Sequence, residues 1–455
     1  MIRIIKDKTY KFVSMFNTNT GEYIRGLDVE EDLFMAEYPH LIDVGVMGHC
    51  QHGRSGLCLK AGIKCYQNGL EQNKPNMTLE NYKKIIDESK DRLFEIALGG
   101  RGDPDMHEDF EGILAYSRKH NVVPNFTTSG LGMTSEKAAI CKKYCGAVAV
   151  SMYSRLQDTT PLIAYRKLDA DEKSKVYKSE EDVPVRFTFG NVFDDSCQYK
   201  SNMHNVNGCY IDEPFYVIDG KKFEWDEQRR IEFSDTPVRY EYFKVFEEAP
   251  EKNYTMEAIK MLMDEGVKTN IHFVLSNTTI DEALIRVKHN GFPKGINAVV
   301  FLLHKPVGLG GLDDVLDVND PRVKEFFELV DKGNLPYKVG FDSCSIPGVL
   351  KWSKHIDTCS IDTCEGSRFS MYIDADMTAL PCSFDNQDKK YAVQLSDTVS
   401  IETAWNSDVF NRFRNSLRNS CKDCKQRELC MGGCPLRNDV VLCDSVFRDF
   451  ALKEG

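Results

Sequence analysis

Four cysteines within fourteen residues, Cys421-Lys-Asp-Cys424-Lys-Gln-Arg-Glu-Leu-Cys430-Met-Gly-Gly-Cys434, limit this chain more than any other feature. Cys443 follows nine residues later. Gaps of two and three residues suit chelation of a metal better than a disulfide, which would be strained there. Soft thiolates at such spacing select zinc or iron–sulfur clusters. The C-terminal part is thus organised around metal, and the class of the whole protein follows from it.

At 455 residues the chain is long enough for a large domain and a smaller one. No stretch of eighteen apolar residues occurs, so no membrane span is expected. The start, Met-Ile-Arg-Ile-Ile-Lys-Asp-Lys-Thr-Tyr, lacks the apolar core of a signal peptide. A cytoplasmic location is expected, where sixteen cysteines read as metal ligands rather than disulfides. A net charge of −12 argues against a nucleic-acid partner and is neutral about peptides.

Between about 41 and 330, short apolar runs alternate with amphipathic segments. Strands are expected at 41–47, 93–98, 122–128, 147–152, 267–275 and 296–303. Between them, Tyr82, Ile85, Ile86 and Ser89 share one helical face behind a Thr78 cap. Phe110, Ile113, Leu114 and Ser117 repeat likewise, as do Val323, Phe326, Phe327 and Val330. Ala138, Cys141 and Cys145 line a further helix, Met256, Ile259 and Met263 another, and Ile280, Leu284 and Val287 a third. Such alternation predicts βα units around a parallel sheet, about six of them, too few for a closed eight-stranded barrel. Residues 1–40 form an N-terminal extension with a hairpin around Asn17–Gly21. Residues 155–250 interrupt the alternation as an insertion, with a second hairpin signal at Asp219-Gly220. A boundary is expected at 335–345, placing the barrel at 41–335 and the Cys-rich domain at 340–455.

Cys50, Cys58 and Cys65 lie in the loop after the first strand, among Gly48, Gly53, Gly56 and Gly62. Glycines let such a loop wrap a bulky object. Three thiolates leave one iron of a four-iron cluster open to a substrate or cofactor, at the strand end where barrels place their chemistry. A structural zinc completed by His49 or His52 is the alternative.

On these residues the chain resembles a radical S-adenosylmethionine enzyme with a C-terminal SPASM domain, over most of residues 41–443. The resemblance implies an α/β fold, a partial (β/α)6 TIM-like barrel followed by a small Cys-rich iron–sulfur domain. The C-x2-C-x5-C-x3-C run with its following Cys matches the SPASM signature. Cys364 and Cys382 match its upstream element, with Met377 where glycine normally stands. The first cluster departs from the common C-x3-C-x2-C, having C-x7-C-x6-C. Leu98-Gly-Gly-Arg-Gly-Asp-Pro104 resembles the strand-end turn that binds the methionine amine, with Asp103 in place of Glu. Thr128-Ser129-Gly130, Ser151 and Pro306-Val-Gly-Leu-Gly310 resemble further strand-end elements, Ser151 on the ribose side. Gly99, Gly100, Gly102, Asp103, Ser129 and Ser151 are therefore implied to bind the cofactor.

The same resemblance implies three 4Fe–4S clusters and S-adenosylmethionine. Cys50, Cys58 and Cys65 would hold the cluster that generates a 5′-deoxyadenosyl radical. Cys421, Cys424, Cys430 and Cys443 would hold a distal auxiliary cluster. Cys364, Cys382 and Cys434 would hold the nearer one, with Cys359 as fourth ligand, or Cys344 in its place, or an open iron for a substrate thiolate. Cys141 and Cys145 read as buried small hydrophobes, Cys197 and Cys209 as incidental, and Arg101 as a solvated arginine that could instead meet a carboxylate.

The glycine-rich turn and long-gap cluster resemble the branch that matures cysteine-repeat, ranthipeptide-type precursors by thioether bridges. The implied partners are a precursor peptide and an electron donor such as flavodoxin or ferredoxin. Forty N-terminal residues are too few for the usual leader-binding domain, so the 155–250 insertion is expected to help recognise peptide. Sulfatase-maturase-like oxidation of Cys or Ser is disfavoured because Ser383, not Asp, follows Cys382. Carbon–carbon crosslinking, and a non-enzymatic iron–sulfur or zinc scaffold, are the remaining alternatives.

Overall fold

A computed structural model describes residues 1–27, 34–55, 63–69, 74–152, 161–162, 164–167, 189–190, 215–218, 221–224, 242–245, 254–357, 360–419, 424, 427–437 and 439–443. The N-terminal residues form an antiparallel meander of β1 (Ile2–Asp7), β2 (Phe12–Asn17) and β3 (Tyr23–Leu27), the last two joined by the hairpin expected at Asn17–Gly21. Four parallel strands follow: β4 (Leu41–Val44), β5 (Glu95–Leu98), β6 (Val123–Thr128) and β7 (Val148–Ser151). Within the insertion only short strands are described, β8 (Pro161–Leu162), β9 (Ala164–Lys167), β10 (Phe189–Gly190), β11 (Phe215–Ile218), β12 (Lys221–Glu224) and β13 (Tyr242–Val245). Of these, β11 and β12 pair antiparallel on either side of Asp219-Gly220. The parallel series resumes with β14 (Thr269–Leu275), β15 (Ala298–Leu303) and β16 (Lys338–Phe341).

The helices stand where the apolar period places them. Thr78 caps Leu79–Ser89, its Oγ1 accepting from the Asn81 amide at 3.2 Å, and the buried residues are Tyr82, Ile85, Ile86 and Ser89. Phe110–Lys119 and Pro321–Asp331 bury their expected faces too. The helix Tyr254–Asp264 differs: Thr255, Ala258, Ile259 and Leu262 face inward, and Met256 and Met263 sit on the flanks. Close approach explains this, since a Cβ on Gly130 would lie 2.7 Å from that of Ala258. Small residues win there over apolar volume.

Alternation divides the sheet into two faces. Ile42, Val44, Ile96, Leu98, Val148 and Val150 pack under the helices. Across the strands Asp43, Ala97 and Asn125 are in register, as are Thr127, Ala149 and Asn270, so the concave face is polar. A cavity of about 350 Å³ at its base is lined by Glu95, Asn125, Thr127, Asn270, His272 and Lys268, together with the Thr18–Gly21 turn.

The sheet does not stop at its first βα strand. β17 (Ser370–Ile373) lies parallel to β4, with Tyr372 opposite Asp43, and β18 (Thr378–Leu380) and β19 (Val393–Gln394) continue antiparallel. Ten strands therefore run from β16 to β19 in one sheet, and the C-terminal segment covers what would otherwise be an exposed β4 edge.

Candidate iron–sulfur and nucleotide site

Cys50 caps the short helix Gln51–Arg54, its Sγ accepting from the Gly53 amide at 3.4 Å. A Cβ on Gly69 would lie 3.0 Å from the Cys50 Cβ, 3.5 Å from its Sγ and 3.8 Å from the Cys65 Sγ. The two thiols thus face one another across a bare glycine. Cys58 lies outside the described residues. Of the histidines offered as zinc ligands, His52 Nε2 is 2.8 Å from Asp103 Oδ2, and His49 Nδ1 faces the Lys74 carbonyl at 3.4 Å. Among the described residues no three His, Cys, Asp or Glu side chains are gathered for a single ion. Burial raises the Cys50 pKa, so a cation must displace its proton on binding.

The strand-end loops beside these thiols fit close approach of a ligand backbone-first. Gly100 and Gly102 have φ of 85° and 67°, and a Cβ on Gly102 would lie 2.7 Å from the His49 carbonyl oxygen. Nothing lies within 4 Å of a Cβ built on Gly99. Asp103 is a clamp rather than a simple turn cap. It receives the Ser129 amide at 3.0 Å and the Ser129 hydroxyl at 2.6 Å, and it holds His52. Burial disfavours the His52 imidazolium, but Asp103 outweighs it and the pKa rises. Ser151 ends β7 on the concave face, in register with His272. Arg101 is not solvated: it is 1% exposed, 3.7 Å from Asp374 Oδ1.

The expected turn Pro306–Gly310 closes over the cysteine loop. Leu309 donates its amide to the Cys65 carbonyl at 2.9 Å, and a Cβ on Gly308 (φ 63°) would lie 2.7 Å from the same oxygen. Next to Cys65, the Tyr66 ring packs at a tilt of 36° against Phe384, with centroids 4.7 Å apart. Gln67 donates to the Ser383 carbonyl at 3.1 Å and accepts from Asn386 Nδ2 at 3.1 Å. The cysteine loop is therefore docked on the segment following Cys382.

Beyond that contact, Cys344, Cys364, Cys382 and Cys434 stand near enough to influence one another's ionisation. Burial pushes the Cys364 thiol to about 12 and Cys382 higher still. Within the close pair, each thiol acting on the other, Cys434 is held low and Cys344 high. Cys344 is thus brought to Cys364, Cys382 and Cys434, while Cys359 lies outside the described residues. Soft donors that influence one another without converging on a single ion suit a multi-iron cluster better than one metal ion.

Lys305 lies at the margin of this group. Its Nζ donates to Asp342 Oδ2 at 2.5 Å and to the Leu303 carbonyl at 2.8 Å, and it stands 4.5 Å over the Phe384 ring. Burial disfavours its charge, but Asp342, with the neighbouring thiols, raises its pKa. Sequence reasoning missed this pair, although a Lys two residues after the apolar β15 was a visible signal.

In the terminal run, Met431, Gly432 and Gly433 have φ of 53°, 81° and 84°. That left-handed stretch separates Cys430 from Cys434. Cys424, Cys430 and Cys443 are half-buried, and Cys421 lies outside the described residues. Cys141 and Cys145 pack in or against the apolar core as expected, the Cys145 amide donating to the Cys141 carbonyl at 2.8 Å. Cys197 and Cys209 are outside the described residues. Asp385 is 2% exposed and accepts from the Tyr391 amide at 2.8 Å and the Lys390 amide at 3.1 Å, so it organises a loop.

Residues 364–425 match the SPASM family, an iron-sulfur cluster-binding domain. The chain is 30% identical over 83 residues to the mycofactocin maturase MftC of Mycolicibacterium smegmatis, a stretch spanning 18% of this chain and 21% of that relative. Its fold is similar to that of Streptococcus suis SuiB bound to precursor peptide SuiA, at 12% identity, TM-score 0.56 and 98% of both chains. SuiB bound to S-adenosylmethionine aligns at 11% identity and TM-score 0.53, over 90% of this chain and 78% of the other. No helix among the described residues is long and apolar enough to cross a membrane. Residues 364–425 thus carry the match to an iron-sulfur cluster-binding domain, and the chain as a whole shares its fold with SuiB.

Proposed function

We propose that this chain is a radical S-adenosylmethionine peptide maturase that joins the sulfur of a peptide cysteine to a carbon of another residue, a thioether crosslink. The observation that carries this reading is the docking of the Cys50/Cys65 loop on the Cys382 segment, with the four-thiol group immediately behind it. A hydrogen-abstracting site and an electron acceptor need that proximity. When bound, S-adenosylmethionine and its reduced four-iron cluster supply one-electron C–S cleavage and hydrogen abstraction, chemistry no side chain provides.

The chain's own residues bind and orient. Cys50, Cys58 and Cys65 are the ligands of the first cluster. Gly99, Gly100 and Gly102 admit the methionine end to the backbone, Asp103 fixes the cysteine loop to Ser129, and Ser151 faces the ribose. Cys344, Cys364, Cys382 and Cys434 form the nearer auxiliary set, and Cys421, Cys424, Cys430 and Cys443 the distal one, for three clusters in all. The polar concave face offers hydrogen bonds to a peptide backbone. The substrate is a ribosomally made precursor peptide, recognised in part by residues 155–250. The electron donor is a flavodoxin or ferredoxin, and the compartment is the reducing cytoplasm.

The test is anaerobic incubation with a Cys-rich candidate peptide, reductant and S-adenosylmethionine. Loss of two hydrogens per bridge, 5′-deoxyadenosine formation and thiols blocked to alkylation are expected. Free thiols after the same mass loss would replace this reading by carbon–carbon coupling. Failure to bind S-adenosylmethionine after cluster reconstitution would leave a scaffold. Removal of residues 155–250 with iron content intact should abolish peptide binding, and unchanged affinity would reject their role.

A further inference from the structure

Lys305 lies second in the loop at the C-terminal end of β15 and is 4% exposed. A lysine is buried this far only with an anion close by. Asp342 supplies that anion through one oxygen and braces a turn with the other. Its Oδ1 accepts from the Ser345 amide at 3.1 Å and from the Ser345 hydroxyl at 2.5 Å. Those bonds hold the turn Ser343–Ser345, which carries Cys344. One carboxylate thereby fixes both a thiol and a cation beside it. The charge acts on Cys344, Cys382 and Cys434. Its other neighbour is the Phe384 ring, 4.5 Å away, whose partner Tyr66 adjoins Cys65. Lys305 consequently stands between the two cysteine sites at the barrel mouth.

We propose that Lys305 is a positioning residue whose fixed ammonium raises the reduction potential of an iron–sulfur cluster held by Cys344, Cys364, Cys382 and Cys434. This rests on the reading that those thiols hold a cluster. Cluster potentials follow net charge and hydrogen bonding around the sulfurs, and a buried unit charge is screened far less than one at the surface. The consequence for the proposed reaction is directional. Forming a thioether removes a hydrogen atom from the substrate carbon and a proton from the thiol, and closing the C–S bond leaves one electron over. A more positive potential on the side of Lys305 draws that electron to the auxiliary cluster.

The experiment is a potentiometric titration of the anaerobically reconstituted full chain, followed by electron paramagnetic resonance, with iron and sulfide counted in parallel. At a fixed potential near the midpoint, Lys305→Met should lower the ratio of reduced to oxidised auxiliary cluster about tenfold, equivalent to about 59 mV for one electron. Asp342→Asn keeps an acceptor for the Ser345 amide but uncovers the ammonium, so it should move the ratio upward by about threefold or more. Opposite shifts with full iron content support the proposal. Ratios unchanged from the parent in either variant, with iron intact, overturn it. If Lys305→Met loses iron, the Asp342→Asn shift alone decides. A parent protein without iron at these four cysteines would instead remove the reading on which the proposal stands.

Discussion

Gly69 shows how a single missing side chain leaves room between two thiols. The Cys50 and Cys65 sulfurs face each other over it, and an added Cβ would lie 3.0 Å from the Cys50 Cβ, tighter than ordinary contacts. Gly69→Ala is expected to cost the first site its iron, roughly a third of the total if three clusters are bound; iron analysis with a full count would contradict this. Met377 makes the converse point. It stands where glycine is the usual residue and still adopts φ of 63° in the turn between β17 and β18. Its half-buried side chain packs against the core and offsets the strain. Met377→Val, β-branched in a left-handed position, should lose about 1–2 kcal/mol. Met377→Gly should stay within about 1 kcal/mol of the parent, because relieved strain and lost packing oppose each other. Denaturant titration measures both.

At the scale of elements, the N-terminal meander is tied to the barrel base. Arg3 donates to the carbonyls of Leu93, Asn121 and Lys90, and Phe16 packs on Phe94 at 5.4 Å. His40 lies at the junction, its Nδ1 2.6 Å from the Tyr23 hydroxyl and its ring against Phe12, Phe94 and Phe369. Burial, with Arg25 adding, lowers its pKa from 6.5 to about 3. The folded state therefore keeps His40 neutral where the unfolded chain already binds a proton. Its stabilisation is complete above pH 6.5 and is lost progressively as pH falls toward 3. Between pH 7 and pH 5 the loss from this group should be about 2 kcal/mol. Urea unfolding at the two pH values checks it: the difference should shrink by about that amount in His40→Gln, and an unchanged difference would refute the assignment.

For the whole molecule, the decisive feature is that one sheet runs through the barrel and into the C-terminal segment. β17 supplies β4 with its outer neighbour, and Trp405, fully buried, donates its indole N–H to the Ala36 carbonyl at 3.0 Å. A chain ending before residue 360 would expose the β4 edge and the surfaces under Trp405 and Phe369. It is expected to aggregate, as unpaired edges and apolar patches do. A soluble monomer of that truncated chain in size-exclusion chromatography would show the barrel to be self-sufficient.

The sequence by itself determined the helices and parallel strands between about 41 and 330, and the expectation of metal binding in the C-terminal run, but not β16, β17 or the helices after residue 340. Helical faces and strand alternation are local periods, and closely spaced cysteines on one short loop cannot avoid each other. Thr78 as a cap and the buried set Val323, Phe326, Phe327 and Val330 follow from that locality. Tertiary structure alone brought Cys344 to Cys434, placed Lys305 beside them, packed Tyr66 against Phe384 and set β17 against β4. These partners are separated by tens to hundreds of residues, so no period or spacing encodes their meeting. Three-dimensional packing of loops at one end of a parallel sheet does.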